Sequence, residues 1–280
     1  MLTVLFGLAS SCSYAVSDMM AQRVVRASSA LRMVAWVLSI GVLVSLPLML
    51  LVDGLPHGGA EWRAAGWAAL AGIIYVGAYF SLLSGFAKGD LSLVAALSSL
   101  QGGFTAVAAI VLGEQVTPLL AAGLALTVAG AVLAAVQDRA RTTAGAGWAL
   151  LSAVLFAGVV TIYGQAGDLP WLSVAAVSRL ASFSVAVPLA LVLGGLAIPR
   201  RLRSVAVGSG LLELLGVVAL TVSVGMGPLA VAGVTASQFA TFALLLGVVV
   251  LGERPRPHQL AGVGATIVGV TILGAFVPAG

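Results

Sequence analysis

The chain has 280 residues, of which 61% are hydrophobic and 8% charged, with mean hydropathy +1.16; a soluble domain carries about 25% charged residues. That balance excludes a water-soluble domain and leaves a polytopic membrane protein. The net charge of +4 comes from loop arginines suited to anionic lipid head groups, not to nucleic acid.

Spanning about 30 Å of hydrocarbon takes roughly 20 apolar residues in a helix, and ten such segments follow one another along the chain. The first, 2–22, opens at Met1 with no basic leader and no clear cleavage site, and reads as a mature helix rather than a signal peptide. On it Gly7, Ser10, Tyr14, Ser17 and Asp18 form a stripe at helical spacing. Cys12, the single cysteine, excludes an intramolecular disulfide and a cysteine-cluster metal site. The second segment, 31–52, carries Trp36. The third, 65–86, carries Tyr75 and Tyr79 four apart, placed to line one cavity with Tyr14 and Trp36. Gly77, Ser81 and Gly85 on it recur every four residues, a spacing that lets helices approach closely.

The fourth segment, 91–112, sets Ser98, Gln101 and Thr105 on one face, with Gln101 about 15 Å along the helix and near the midplane. The fifth and sixth are 118–136 and 146–166. The seventh, 171–195, contains Arg179, and the eighth, 206–224, contains Glu213 inside Leu-Leu-Glu-Leu-Leu. In the ninth, 229–251, Thr235, Gln238 and Thr241 recur every three residues, and the tenth runs 257–278. Trp62, Trp67, Trp148 and Trp171 stand at segment ends, as an interfacial belt requires.

Val111, Leu112, Gly113 and Glu114, with Pro118 shortly after, recur as Val250, Leu251, Gly252 and Glu253 with Pro257, 139 residues later. Extending the match from 111–130 to 250–269 adds Ala122/Ala261, Gly123/Gly262, Thr127/Thr266 and Gly130/Gly269, nine identities in twenty. The chain is therefore a tandem duplication, with repeats expected at 1–139 and 140–280. Five spans per repeat return the chain to the opposite side, so the second repeat is inverted relative to the first. The fold class expected is an all-α integral membrane protein of ten transmembrane helices in two inverted five-helix repeats. Loops after helices one, three, five, seven and nine hold eleven of the thirteen basic residues. The positive-inside rule puts those loops in the cytoplasm and both chain ends outside.

Polar groups at membrane depth are costly and usually face the bundle interior. Gln101 and Gln238, amides in corresponding helices of the two halves, point to a shared central cavity; the alternative is interhelical bonding that only holds the bundle together. Asp18 is either an interfacial partner of Arg23 or a group on the transport path. Glu213 must be protonated, paired or facing water. Arg179 lies within several ångströms of it in depth. The two form a structural clasp, or else Glu213 carries protons and Arg179 meets an anionic substrate group. Glu114 and Glu253 each precede a helix that opens with Pro118 or Pro257, where negative charge suits the helix end, so a structural role is expected. No Walker A sequence occurs, the glycines at 262, 264 and 269 lie in a predicted span with no preceding strand, and His57 and His258 have no ligand cluster around them. Neither cofactor, metal nor catalytic residue is expected.

Two halves of five apolar helices, each closing with Leu-Gly-Glu, a short turn with proline and a Gly-rich last helix, resemble the drug/metabolite transporter superfamily, and within it the EamA family. Ser13 to Asp18 followed by Arg23 and Arg26 is similar to the first-helix pattern of some bacterial members. The resemblance covers the whole chain. It implies transport of small metabolites and drugs without ATP, and both chain ends in the cytoplasm, against the charge count. The family often has a proline thirteen residues before each glutamate; Gln101 and Ala240 stand there instead. The expected function is a secondary transporter working by alternating access around Tyr14, Asp18, Tyr75, Tyr79, Ser98, Gln101, Arg179, Glu213 and Gln238. It would be an exporter, with proton coupling through Glu213 or Asp18. The partners expected are a small-molecule substrate and the lipid bilayer. A monomer or homodimer in a bacterial inner membrane is expected, the source being suggested by the excess of arginine, alanine and glycine. The alternatives are a flippase for a lipid-linked substrate, which needs a side opening between helices, and a non-transporting scaffold or accessory subunit.

Overall fold

The computed structural model describes residues 1–89, 91–135, 144–251 and 256–276. Its helices are α1 (Leu2–Ala27), α2 (Ala30–Val52), α3 (Gly59–Lys88), α4 (Leu91–Ser98), α5 (Gln101–Val111), α6 (Pro118–Ala135), α7 (Ala146–Tyr163), α8 (Trp171–Leu193), α9 (Arg203–Gly225), α10 (Leu229–Ala236), α11 (Phe239–Leu251) and α12 (Pro257–Phe276). They make ten membrane spans, because α4 with α5 forms the fourth and α10 with α11 the ninth. Nine spans meet the usual length and hydropathy requirement and α6 is the shorter tenth. Gly252 and Glu253 lie outside the described residues, as do Arg139, Arg141 and Arg254.

The packing obeys the duplication. α1 lies along α9, and exchanging the halves turns that contact into the one between α7 and α3. Contacts α3–α8 and α2–α9 form a second such pair, while α2–α8 and α6–α12 map onto themselves. Such interdigitation is what two inverted repeats require. Pro47 in α2 and Pro188 in α8 each stand five residues before their helix ends, a further mark of the repeat.

The identities Gly123/Gly262, Thr127/Thr266 and Gly130/Gly269 are explained by the α6–α12 crossing. A Cβ on Gly130 would stand 2.6 Å from the Thr266 backbone nitrogen and 2.7 Å from the Gly262 carbonyl oxygen. One on Gly269 would stand 2.8 Å from both the Gly123 carbonyl oxygen and the Thr127 nitrogen. Small residues every three or four positions let the two backbones touch, as membrane helices commonly do. The Gly77 reading fares differently. A Cβ there meets only Leu155, at 3.5 Å, whereas at Gly72 it would collide with the Ser178 carbonyl of α8.

The fourth and ninth spans, expected as continuous helices, are both broken near the middle, at Ser99–Leu100 and Ser237–Gln238. No proline is needed. At the breaks Ser99 Oγ donates back to the Ala95 carbonyl at 2.8 Å and Ser237 Oγ to the Val234 carbonyl at 2.8 Å, satisfying both hydroxyls locally. Non-helical backbone at membrane depth must find partners inside the protein. Ser11 of α1 supplies them at the second break, donating to the Thr235 carbonyl at 2.7 Å and accepting from the Gln238 amide at 2.9 Å.

Described residues flanking the loops after spans one, three, five, seven and nine make contacts in pairs. Arg32 donates to the carbonyls of Gly194 and Ala197, Gly89 abuts Gly145, and Gln259 donates to Ala134 at 3.3 Å. Trp36 joins the first of these pairs. Its indole nitrogen donates to the Leu196 carbonyl at 2.7 Å, so it anchors a loop instead of lining the cavity. Trp62, Trp67 and Trp171 are exposed, whereas Trp148 packs edge-on against Phe80 and under Lys88.

Candidate functional site

Helical periodicity assembles the centre of the bundle. Tyr14 and Asp18 lie four apart on α1, Tyr75, Tyr79 and Leu82 follow each other at four and three on α3, and Phe156, Val159 and Val160 repeat the pattern on α7. Ser98 and Gln101 flank the α4–α5 break, and Phe239 follows the α10–α11 break. Together with Leu220 these side chains enclose a cavity of about 30 Å³, room for about two waters. Six of the nine expected site residues thus meet in one place: Tyr14, Asp18, Tyr75, Tyr79, Ser98 and Gln101.

Three of them line the cavity without a hydrogen-bond partner among the described residues: the Tyr79 hydroxyl, Asp18 and Gln101. Asp18 and Gln101 are each 7% exposed, and neither side chain bonds to a protein group among the described residues. The expected pairing of Asp18 with Arg23 is not formed: among the described residues the one ion pair joins Arg179 to Glu213. Its Nη2–Oε1 distance is 2.6 Å, with both side chains fully buried between α8 and α9. Tyr75 binds them to the cavity wall, because its hydroxyl donates to the same Glu213 oxygen while its ring lies 4.2 Å under the Arg179 guanidinium. Among the described residues Arg179 Nε and Nη1 and Glu213 Oε2 have no hydrogen-bond partners. Arg179 and Glu213 therefore stand behind the cavity, one tyrosine ring away from it.

Gln238 does not join Gln101. Its amide nitrogen donates to the Val234 carbonyl at 3.0 Å and its oxygen accepts from Thr241 at 3.3 Å and Thr266 at 3.5 Å. By the repeat offset the counterpart of Gln101 is position 240, and Gln238 stands at the α10–α11 break with its side chain held by Val234, Thr241 and Thr266, outside the cavity lining. Phe239 is the residue that reaches it; like Phe156 and Leu220, it carries no signal separating it from other apolar helix residues.

Glu114 serves a helix end, but not that of the helix following it. Gly113, at φ 95°, closes α5, with the Glu114 amide donating back to the Ala109 carbonyl at 2.9 Å. The turn delivers the Glu114 carboxylate to the start of α10 in the other repeat, where it accepts from the amides of Leu229 at 2.8 Å and Ala230 at 3.3 Å. The start of α6 is capped instead by Thr117, whose hydroxyl accepts from Leu120 at 3.3 Å. Glu114→Ala is expected to lower stability by about 1 kcal/mol, the usual worth of an N-cap, with Glu114→Gln losing less. Thermal unfolding in detergent measures both.

The EamA-like transporter family model matches residues 1–136 and again 143–275. The chain belongs to the EamA-like transporter family. The match is double, one copy for each inverted half of the bundle, and it makes the protein a membrane transporter of the drug/metabolite type; the family is one of transporters, not enzymes. A solved structure described only as a crystal structure of a protein superposes with a TM-score of 0.77 over 98% of this chain and 96% of its own, at 18% identity. That likeness is one of fold alone. No curated protein sequence matches the chain. This EamA-like chain keeps broken fourth and ninth spans without the proline often found there.

Proposed function

We propose that the protein is a secondary transporter that exports a small metabolite or drug across a bacterial inner membrane by alternating access around the central cavity. The observation that carries this reading is the pair Asp18 and Gln101, buried beside a cavity with no protein partner. A group so placed is costly at membrane depth unless a ligand or water meets it. Asymmetry between the ends supports the motion. α5 packs closely on α10, with Gly102 against Ser237 and Gly233 against Thr105, while α4 and α11 meet at few described points. Rocking the repeats, taken as 1–139 and 140–280, about the α2–α8 and α6–α12 contacts would exchange the tight end for the loose one. With the arginine-rich end in the cytoplasm, the end closed here faces outward.

Within this reading Asp18, not Glu213, is the carboxylate placed to exchange protons with the cavity, because Glu213 is already held by Arg179 and Tyr75. Flux in reconstituted vesicles, across a panel of amino acids, nucleosides, sugars, polyamines and cationic drugs, tests the proposal. Gln101→Ala should abolish the flux of the transported compound while unfolding at the parent's temperature. Absence of flux for every compound, or flux unchanged by Gln101→Ala, would overturn the proposed site.

One feature favours the flippase as a second reading. A groove of about 700 Å³ lined by apolar side chains and glycine runs between α5 and α6, from Val116 to Leu133, and reaches Leu100 at the α4–α5 break. It is the kind of side opening an acyl chain would need, and purification with a bound lipid-linked carrier would favour that reading.

A further inference from the structure

Resting on the transporter reading, we infer that the central cavity, widened beyond its two-water volume when the repeats rock open, takes an aromatic or otherwise apolar organic monocation in preference to anions and zwitterions. Five rings form its walls: Tyr14, Tyr75, Tyr79, Phe156 and Phe239. Tyr75 stands 5.7 Å from Tyr79 and 5.4 Å edge-on from Phe156, centroid to centroid. Ring faces attract cations most strongly where water is excluded. Tyr75 already holds one, the Arg179 guanidinium, which is not part of the cavity lining.

Charge decides between classes of ligand. Asp18 is the one ionisable carboxylate lining the cavity, 7% exposed and in no ion pair. Arg179, the nearby cation, is fully buried, is matched by Glu213 and lies behind the Tyr75 ring. An anionic group would have to displace Tyr75 to reach it. A zwitterion would find Asp18 for its ammonium, but for its carboxylate only the neutral donors of Gln101, Ser98 and the tyrosines. A monocation satisfies Asp18 and leaves no charge of its own uncompensated.

One skeleton in four charge states tests this. Tyramine, tyrosine, 4-hydroxyphenylpropionate and tyrosol differ in carrying a cationic, zwitterionic, anionic or neutral end. Binding to the purified protein would be read by thermal stability, and flux by vesicle counterflow. Tyramine is expected to bind tightest of the four. Asp18→Asn should weaken it about thirtyfold or more, as loss of one partner of a buried charge pair does, and Asp18→Glu should restore part of the affinity. Elution of both variants as monodisperse protein separates lost binding from lost folding. Tightest binding of tyrosine or 4-hydroxyphenylpropionate, or tyramine binding unchanged in Asp18→Asn, would overturn the charge selectivity while leaving the transporter reading intact. Binding by none of the four would overturn the aromatic-cation assignment, and the broader flux panel would still decide whether the protein transports.

Discussion

Glu213→Leu is expected to destabilise the protein by about 3–5 kcal/mol, the cost of leaving one member of a buried ion pair alone. The reason is the depth of the pair. Arg179 and Glu213 are 0% and 1% exposed, and Gly41 closes on the Arg179 side chain, so that a Cβ there would stand 3.0 Å from Arg179 Cδ. Arg179→Met should cost less, since a carboxyl left alone can take up a proton, whereas a guanidinium keeps its charge. Replacing both with Arg179→Met and Glu213→Leu should recover most of the loss, because desolvating two charges offsets much of what their attraction contributes. Denaturant unfolding of the four proteins in detergent checks the ordering. A double variant as unstable as Glu213→Leu alone would show that the pair stabilises the fold in its own right.

Tyr75→Phe separates the pair's structural share from its link to the site. It removes the hydroxyl that donates to Glu213 and keeps the ring that faces both Arg179 and the cavity. A loss of about 1–3 kcal/mol is expected, for a hydrogen bond to a buried charge, measurable in the same unfolding series.

Hydropathy made the spans legible, since ten stretches of about 20 apolar residues leave few other folds, and the Leu-Gly-Glu repeat made the inversion legible because five spans per unit force it. Interruptions inside the spans were not visible by the same means. Ser99 and Ser237 at the breaks donate to carbonyls three or four residues back, but so do Ser39, Thr161 and Ser182 inside unbroken helices, so serine in an apolar run reads equally well as a continuous helix. The site was half visible for a related reason. Tyrosines, an acid and an amide at helical spacing mark an inward face, but not which inward face. Gln101 opens α5 and lines the cavity, whereas Gln238 sits in the α10–α11 break and bonds within its own half, a difference made by the interruptions that spacing did not reveal. Glu114 was read as serving its own helix because local capping is the nearest explanation, while its partner lies more than a hundred residues away in the other repeat.

Gly262→Ala is expected to cost about 1–3 kcal/mol, the range for forcing extra volume into a packed interface, whereas Gly264→Ala, two residues along the same helix, should be neutral or stabilising by about 0.5–1 kcal/mol. At position 262 an added Cβ meets backbone only, the Gly130 carbonyl oxygen at 2.7 Å and Ala134 Cα at 2.9 Å, and neither can rotate away. At 264 nothing lies within 4 Å, so the methyl group only removes conformational freedom from the unfolded chain. Gly123→Ala should fall between them, because the atoms it would meet belong to the side chains of Ile272, at 2.9 Å, and Leu273, at 3.1 Å, which can move. The order matters for function as well as stability. If α6 and α12 form the fixed axis about which the repeats rock, Gly262→Ala should lower flux in vesicles in proportion to the folded protein lost, with no change in apparent affinity. A shift in affinity would instead make the α6–α12 crossing part of the moving machinery.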